Sequence, residues 1–372
     1  MLGLGVLALL PFAAAKAVLP RQTACNNSPD LCSKSYSEIT HLGAHDSPFV
    51  RDASTGYNSA GNQYYNTTLQ LDAGVRMVSA QVHKENNEWH LCHSVCEIMD
   101  AGKLSTWLSE IKSWLDDNPN EVVTVLLVNS DGASASELHS EFQAANIIDY
   151  AYKPAQTSAP SSWPTLQKMI DDGTRLVTFV ASLETNTVAP YLMDEFTYVW
   201  ENNYEVTTPG NFSCAPDRPS SVKGNLATAL SSNRMFLMNH FLYQTSILDI
   251  QSPNATYVGT TNAPSGGAGN LGDAATKCKE SYGQQPNFIL VDFFDKGPAI
   301  ETVDNLNGVS SATGRRKLSS STQESSASTY SNVFKGLVEL VQSAKEGANP
   351  SMGEWVWVGG DWGSLLGGGI SM

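Results

Sequence analysis

Six apolar, β-branched runs recur along the chain, and amphipathic stretches separate them. The runs are 39–45, 75–83, 121–129, 175–183, 234–242 and 287–294. Continuous apolar runs of this length predict strands that are buried on both faces. Between them, 104–119 repeats its apolar residues at helical spacing, with Trp107 and Trp114 on the core face, and 163–173 has a proline near its start and a glycine at its end. Strands that alternate with helices predict a parallel sheet covered by helices.

No glycine-rich phosphate-binding motif of the GxGxxG or GxxxxGK[ST] type follows any of these strands. A closed α/β barrel is therefore favoured over an open nucleotide-binding sheet. We predict one domain, a barrel over 25–304. The serine-rich stretch 305–329 has few apolar residues and predicts a mobile loop, followed by a C-terminal helix and tail over 330–372 that pack on the barrel.

The first residues carry features of an exported protein. Residues 1–17 hold an apolar core followed by small residues, which predicts a secretory signal peptide cleaved after Ala15 or Ala17, although no positive charge precedes the core. The alternative is an apolar N-terminal helix. Four N-glycosylation sequons begin at Asn26, Asn66, Asn211 and Asn254. We therefore expect a secreted, glycosylated protein.

The six cysteines form an even set that permits fifteen pairings. Short local loops favour Cys25–Cys32 and Cys92–Cys96, which leaves Cys214–Cys278. A zinc site is the competing interpretation, and it is disfavoured because no pair has the two-residue spacing of a zinc knuckle.

The charge balance limits the partners. Acidic residues outnumber basic ones 37 to 22, and the densest basic cluster is the short run 314–317. A nucleic-acid partner and strong electrostatic docking to anionic membranes are both disfavoured, since each needs clustered lysine and arginine. No apolar run after the N-terminus is long enough to predict a membrane span.

Polar side chains collect where the predicted strands end. They are His45, Asp46, Gln81, His83, His93, Asn239, His240 and Asp292. In α/β barrels such positions face the active site, and an aspartate within an apolar strand, like Asp292, needs a partner. Two imidazoles with two carboxylates form a general acid–base set that cleaves a phosphodiester without a metal. Taken alone, His45–Asp46 is better explained as an ordinary turn stabilised by the aspartate, and the other residues of the set favour the site.

Five segments occur in an order that resembles the phosphatidylinositol-specific phospholipase C X-domain superfamily, in particular its secreted fungal phospholipase-C-like phosphodiesterases. They are ITHLGAHDSPF, LDAGVRMVSAQVH, WHLCHS, DNPNEVVTVLLVN and PNFILVDFFDKG, and the resemblance extends over about 40–297. It implies a distorted TIM (β/α)8-type barrel. It also implies a phospholipid or glycerophosphodiester substrate and is compatible with peripheral membrane contact. We expect a monomer that uses no cofactor, and the two-histidine route needs no metal.

The resemblance also assigns roles. His45 would be the general base, supported by Asp292, and His93 would be the general acid, supported by Asp46. Gln81 takes the family's ligand position, and we predict it as a substrate-contacting residue together with Asn239 and His240. His90 competes with His93 for the acid role.

The chain departs from the family pattern at the positions that handle phosphate charge. Ser79 and Gln81 replace the Asp-x-Arg of bacterial members and the acidic ligands of calcium-dependent ones, and Val128–Asn129 stand where a lysine or glutamate is expected. Losing one such stabiliser costs about 10²- to 10³-fold in rate. Arg76 is either a substitute or, by its position along the strand, a structural ion-pair partner.

Two alternatives remain open from the sequence. One is a degenerate barrel that acts as a secreted binding or cell-surface protein. The other is a metal-dependent phospholipase D-type barrel, which needs three carboxylates around the site.

Overall fold

The computed structural model describes residues 24–183, 186–245 and 251–318. The strands are β1 His41–Ala44, β2 Met77–Glu85, β3 Glu88–Cys92, β4 Asp100–Lys103, β5 Val123–Asn129, β6 Leu176–Ala181, β7 Leu192–Asp194, β8 Val199–Asn202, β9 Pro216–Arg218, β10 Met235–Asn239, β11 Tyr243–Thr245, β12 Gln251–Pro253 and β13 Phe288–Val291. The helices are α1 Thr67–Ala73, α2 Leu104–Asp117, α3 Ala135–Ala144, α4 Leu166–Asp171, α5 Glu195–Tyr198, α6 Leu226–Ser231, α7 Val258–Thr261, α8 Leu271–Tyr282 and α9 Ala299–Asn307.

Eight parallel strands form the barrel sheet, in the order β7-β6-β5-β2-β1-β13-β10-β8. The ninth member of this path, β9, adds to β8 antiparallel, so the sheet curls without closing among the described strands. The predicted distorted α/β barrel in one domain is confirmed.

Alternation along each strand divides the apolar residues between two layers, because successive strand side chains point to opposite faces. Met77 and Phe288 belong to the core inside the barrel, whereas their neighbours Val78 and Ile289 pack under the helices. Trp107 and Trp114 of α2 lie in that outer layer, as predicted. Strands buried on both faces therefore appear in the sequence as unbroken apolar runs.

The six predicted strands all exist, but two of the eight barrel strands, β7 and β8, were not predicted. They span three and four residues and are joined directly by α5. The strands β1 and β13 are as short, but each lies in a longer apolar run, whereas β7 and β8 are separated only by α5 and have no such run around them. The predicted helix at 163–173 begins later, at Leu166, because the Thr165 side chain caps it by accepting from Lys168 N.

The three predicted disulfides, Cys25–Cys32, Cys92–Cys96 and Cys214–Cys278, are present in the structure. Within the described ranges, no group of three or more His, Cys, Asp or Glu side chains is arranged to hold a metal ion. None of the described helices is long and apolar enough to cross a membrane.

Arg76 has the structural role. Its side chain is buried, and the guanidinium lies 2.7 Å from Glu121 and donates to the carbonyls of Leu71 and Val75. Because Arg76 precedes β2, these contacts lie at the amino-terminal end of the barrel strands, away from the strand ends that carry the histidines. The substitute role in phosphate binding is therefore wrong.

The described chain extends beyond the predicted barrel boundary at 304, to residue 318. Helix α9 continues to Asn307, and Arg315 and Arg316 of the basic cluster pair with Asp304 and Asp72. The predicted signal peptide at 1–17, the rest of the serine-rich loop and the predicted C-terminal helix and tail lie outside the described residues.

Candidate active site

The His45–Asp46 segment is both a turn and part of the site. His45 N donates to Val291 O, and Asp46 adopts a left-handed φ of 48° that reverses the chain after β1. The hydroxyl of Ser79 accepts from Asp46 N at 2.9 Å, and the Ser79 carbonyl accepts from Ser47 N at 2.8 Å. The serine in the family's ligand position thus fixes the turn.

One ring nitrogen of His45 is held by Asp292, at the end of β13. The distance from His45 Nδ1 to Asp292 Oδ1 is 2.9 Å, and Asp292 is 3% exposed. The same oxygen accepts from Asn62 Nδ2 at 3.0 Å. This arrangement leaves His45 Nε2 facing Asp46 Oδ2 at 3.6 Å. The predicted His45–Asp292 pair is therefore formed.

Phe241, just after β10, fixes the plane of the His45 ring. The two rings are parallel within 2°, and their centroids are 3.7 Å apart. Asn62 and Phe241 were both missed by the sequence analysis. Phe241 lies within the predicted strand 234–242, where it reads as one more apolar core residue. Asn62 lies in a glycine- and asparagine-rich loop whose sequence has no signal that distinguishes it from a surface loop.

His93 reaches the site by way of a hairpin. β2 extends past its parallel neighbours to pair antiparallel with β3, and β3 ends at Cys92. The Cys92–Cys96 disulfide closes the loop that carries His93, and the His93 ring lies edge-on to Phe49. Its Nε2 is 3.9 Å from Asp46 Oδ2, which is an electrostatic contact and is too long for a hydrogen bond.

The two imidazoles therefore approach one carboxylate oxygen from two directions. Their side chains are 13% and 11% exposed, so both open to solvent only at the mouth of the barrel. Within the described part of the chain, neither Asp46 nor Asp292 pairs with a lysine or arginine.

The two rings differ in proton affinity. Burial opposes protonation of His45, but the charges of Asp46 and Asp292 outweigh it, so its pKa is raised. Burial lowers the pKa of His93, and the charge of His45 adds to this effect while Asp46 opposes it. The two pKa shifts therefore have opposite directions, and because the rings interact, they titrate as a coupled pair.

Gln81 lies at the site, but its amide is bonded within the protein. Its Nε2 donates to Asp46 Oδ2 at 2.7 Å, and its Oε1 accepts from the backbone N–H of Ser94 at 2.9 Å. The neighbouring strand places Val128, 37% exposed, in register with Gln81.

Asn239 and His240 point to different surroundings. The Asn239 amide donates to Glu201 Oε2 and to the Asn202 carbonyl, in a polar group that also contains Arg218. His240 is fully buried, its Nε2 donates to the Thr261 carbonyl, and its ring stacks on Phe212. Its position offers no surface for a substrate.

The remaining candidate histidines are engaged elsewhere. His83 lies 3.3 Å from Asp131, and His90 lies 2.9 Å from Asp100. Neither contacts Asp46 or Asp292. The structure thus brings together five of the predicted residues: His45, His93, Asp46, Asp292 and Gln81. Tyr243 lies nearby. Burial raises the pKa of its hydroxyl, and the charges of Asp292 and Asp46 raise it further.

Fold and site together define an α/β barrel protein with two imidazoles and two carboxylates at the carboxyl ends of its strands. The sequence profile of the PI-PLC X domain, described as PI-PLC X 1, matches residues 31–307. The chain belongs to this family.

Two fungal proteins and a bacterial structure are among the proteins to which the chain is similar. The chain is 36% identical over 310 residues to "PI-PLC X domain-containing protein 1" of Arthroderma benhamiae, covering 83% of this chain and 97% of that protein. It is 37% identical over 288 residues to an "Uncharacterized secreted protein" of the same fungus, covering 76% of this chain and 61% of the other. Among solved structures, the phosphatidylinositol-specific phospholipase C from Listeria monocytogenes matches with a TM-score of 0.48 and 18% identity, over 77% of this chain and 96% of that one.

Proposed function

We propose that the protein is a phosphodiesterase that cleaves a phosphoinositide or glycerophosphodiester by general acid–base catalysis with His45 and His93. The observation that carries the proposal is the shared orientation of the two imidazoles, whose Nε2 atoms lie 3.6 and 3.9 Å from one oxygen of Asp46. Membership of the PI-PLC X domain family supports the same class of reaction.

The hydrogen bond to Asp292 suits His45 to the role of base. A neutral His45 that donates from Nδ1 to Asp292 has its lone pair on Nε2, toward the open side of the site. A hydroxyl oxygen attacks phosphorus and gives its proton to this nitrogen. The bond from phosphorus to the leaving oxygen breaks, and protonated His93 supplies the proton to that oxygen.

The nucleophile decides the product. An inositol hydroxyl next to the phosphate gives a cyclic phosphate and a free alcohol, which is a lyase reaction. Water gives a phosphomonoester, which is hydrolysis. In both reactions the proton taken up by His45 balances the proton lost by His93.

Two exposed apolar residues support a lipid substrate. Val95, two residues after His93, is 42% exposed, and Val128 beside Gln81 is 37% exposed. Apolar side chains next to a polar site suit the boundary between a head group and acyl chains.

The test is an assay of the purified protein on phosphatidylinositol vesicles and on soluble glycerophosphoinositol, with and without a chelator. We expect turnover that falls at least about 10²-fold in His45→Ala and His93→Ala. His90→Ala is the matched control, because it removes the other imidazole of the same hairpin, bonded to Asp100, and should leave activity unchanged.

Turnover that persists in both site variants contradicts the two-histidine mechanism. Loss of wild-type activity on addition of the chelator favours metal-dependent chemistry. An absence of turnover by the wild-type protein on every substrate favours the binding protein. Its support is that, among the described residues, no lysine or arginine pairs with Asp46 or Asp292.

Export and glycosylation are part of the proposal. One relative carries "secreted" in its name, and the chain forms three disulfides, which persist in oxidising compartments. Asn66 and Asn211 are exposed, whereas Asn26 is buried and its Oδ1 accepts from Val122 N. Peptide mapping after enzymatic deglycosylation should find glycans on Asn66 and Asn211 and none on Asn26.

A further inference from the structure

Gln81 occupies the position where the family resemblance predicts a substrate ligand, yet both ends of its amide are bonded inside the protein. The donor end contacts Asp46 Oδ2 at 2.7 Å, and the acceptor end contacts Ser94 N at 2.9 Å. The amide thus spans two segments that are distant in sequence, the turn after β1 and the disulfide-closed loop after β3.

The two contacts are located at the centre of the site. Asp46 Oδ2 is the oxygen that both imidazoles approach, and Ser94 directly follows His93. Ser94 has a left-handed φ of 63°, so the backbone N–H that Gln81 accepts from lies at a sharp turn of the loop. A displacement of the Gln81 amide would release both segments.

Binding a phosphate through Gln81 Nε2 would break a hydrogen bond to a carboxylate. Such charge-assisted bonds are stronger than neutral ones, and the exchange would replace one anionic acceptor by another. Asp46 Oδ2 would then lose its 2.7 Å amide donor, and an imidazole would have to move closer to replace it. The energetic balance therefore disfavours the ligand role.

We propose that Gln81 is a positioning residue that holds the Asp46 carboxylate and the His93 loop at a fixed separation and does not bind the phosphate. The proposal rests on the proposed function for its kinetic consequences. With the Gln81 amide bonded to Oδ2, the carboxylate lies 3.6 and 3.9 Å from the two Nε2 atoms, beyond hydrogen-bonding distance. These nitrogens remain available to exchange protons with the substrate.

The charged groups that face His93 are Asp46 from the turn after β1, His45 from the same turn and Asp292 from the end of β13. Removing the Gln81 amide frees Asp46 Oδ2 to pair with an imidazole. An imidazole that gains such a partner binds its proton more tightly.

The experiment compares Gln81→Met, which removes both contacts at similar length, with Gln81→Glu, which keeps an acceptor for Ser94 N and removes the donor to Asp46. His83→Ala is the matched control, because His83 lies two residues along the same strand and contacts Asp131. NMR titration of the His45 and His93 rings in the ligand-free protein is combined with kcat and KM on phosphatidylinositol vesicles.

We expect both Gln81 variants to raise the pKa of at least one of the two imidazoles by about one unit. We expect kcat to fall about tenfold or more, since a misplaced general acid loses efficiency, with KM within about twofold of wild type. The control should change none of these quantities. Gln81→Asn, whose shorter amide cannot reach both partners, replaces Gln81→Met if that variant fails to fold.

A rise in KM with unchanged kcat and unchanged imidazole titrations would overturn the proposal and identify Gln81 as a ligand. Unchanged values throughout would overturn it as well. The titrations need no substrate, so a wild-type protein without turnover would contradict the proposed function while the test of Gln81 remains decisive.

Discussion

Asp292 holds His45 through Nδ1 and leaves Nε2 of the ring directed toward the open side of the barrel. The distance from Nδ1 to the carboxylate oxygen is 2.9 Å, and both residues follow adjacent parallel strands, β1 and β13. The pairing of these strands therefore sets the orientation of the imidazole, and the chemistry of His45 depends on the register of the sheet.

Asp292→Asn tests this dependence. The amide removes the charge that supports the protonated ring and permits the wrong ring tautomer, so kcat/KM should fall about 10²-fold or more. The measurement is initial rate against substrate concentration. The control is Asp131→Asn, the same substitution in the His83–Asp131 pair, which should retain wild-type activity. Equal rates in the two variants would show that Asp292 is not needed for turnover.

The pH dependence follows from the opposite pKa shifts of the two histidines. Below the lowered pKa of His93 both rings are protonated and no base remains. Above the raised pKa of His45 neither ring is protonated and no acid remains. A bell-shaped profile of kcat/KM is therefore expected, with limbs that belong to the pair of groups.

Asp46→Asn checks the sign of these shifts. The Asp46 charge raises the pKa of both rings, so its removal should move both limbs to lower pH, by about one unit. Limbs that stay in place, or move to higher pH, would contradict the assigned electrostatics. The measurement is the full pH–rate profile of the variant beside the wild type.

Arg76→Met separates a structural arginine from a functional one. Breaking its buried pair with Glu121 should lower the free energy of unfolding by about 3 kcal/mol, because an uncompensated carboxylate remains. The activity of the folded variant should equal that of the wild type. Urea unfolding and active-site-normalised rates measure the two quantities, and Lys168→Met, in an exposed pair with Asp172, should change neither. A selective loss of kcat would restore a catalytic role.

The Cys214–Cys278 disulfide should contribute more to the free energy of unfolding, and the Cys92–Cys96 disulfide more to activity. In the chain-entropy treatment, the Cys214–Cys278 bond, which spans 64 residues, contributes about 4 kcal/mol, and the Cys92–Cys96 bond, which spans four, about 2 kcal/mol. Replacing each pair by serines and measuring urea unfolding tests the order. Activity should show the reverse order, since the short bond closes the loop of His93.

The sequence predicted more of the site than of its supporting contacts. His45, His93, Asp46 and Asp292 lie together as the strand ends and the family resemblance indicated, and the disulfide pairs follow from their spacing. Asn62 and Phe241 were not predicted, because the sequence around a loop asparagine or a strand-end phenylalanine does not indicate which residue it contacts. The short strands β7 and β8 were missed because, unlike the equally short β1 and β13, they do not lie in longer apolar runs.

Gln81 shows the difference between what the sequence indicates about a residue and what the tertiary structure determines. Its residue type and place at a strand end were readable, and they suggested a substituted ligand. Its hydrogen bonds to Asp46 and Ser94 depend on two loops that meet only in the folded barrel. Hydrophobic periodicity determines which strands form and which faces are buried, and so the sequence alone determined the barrel and the set of residues at its mouth. The partner of each polar side chain was decided by the tertiary structure, because a hydrogen bond requires two specific groups within about 3 Å of each other. Burial of an apolar side chain requires only that it lie on the face of its strand or helix that packs against the core.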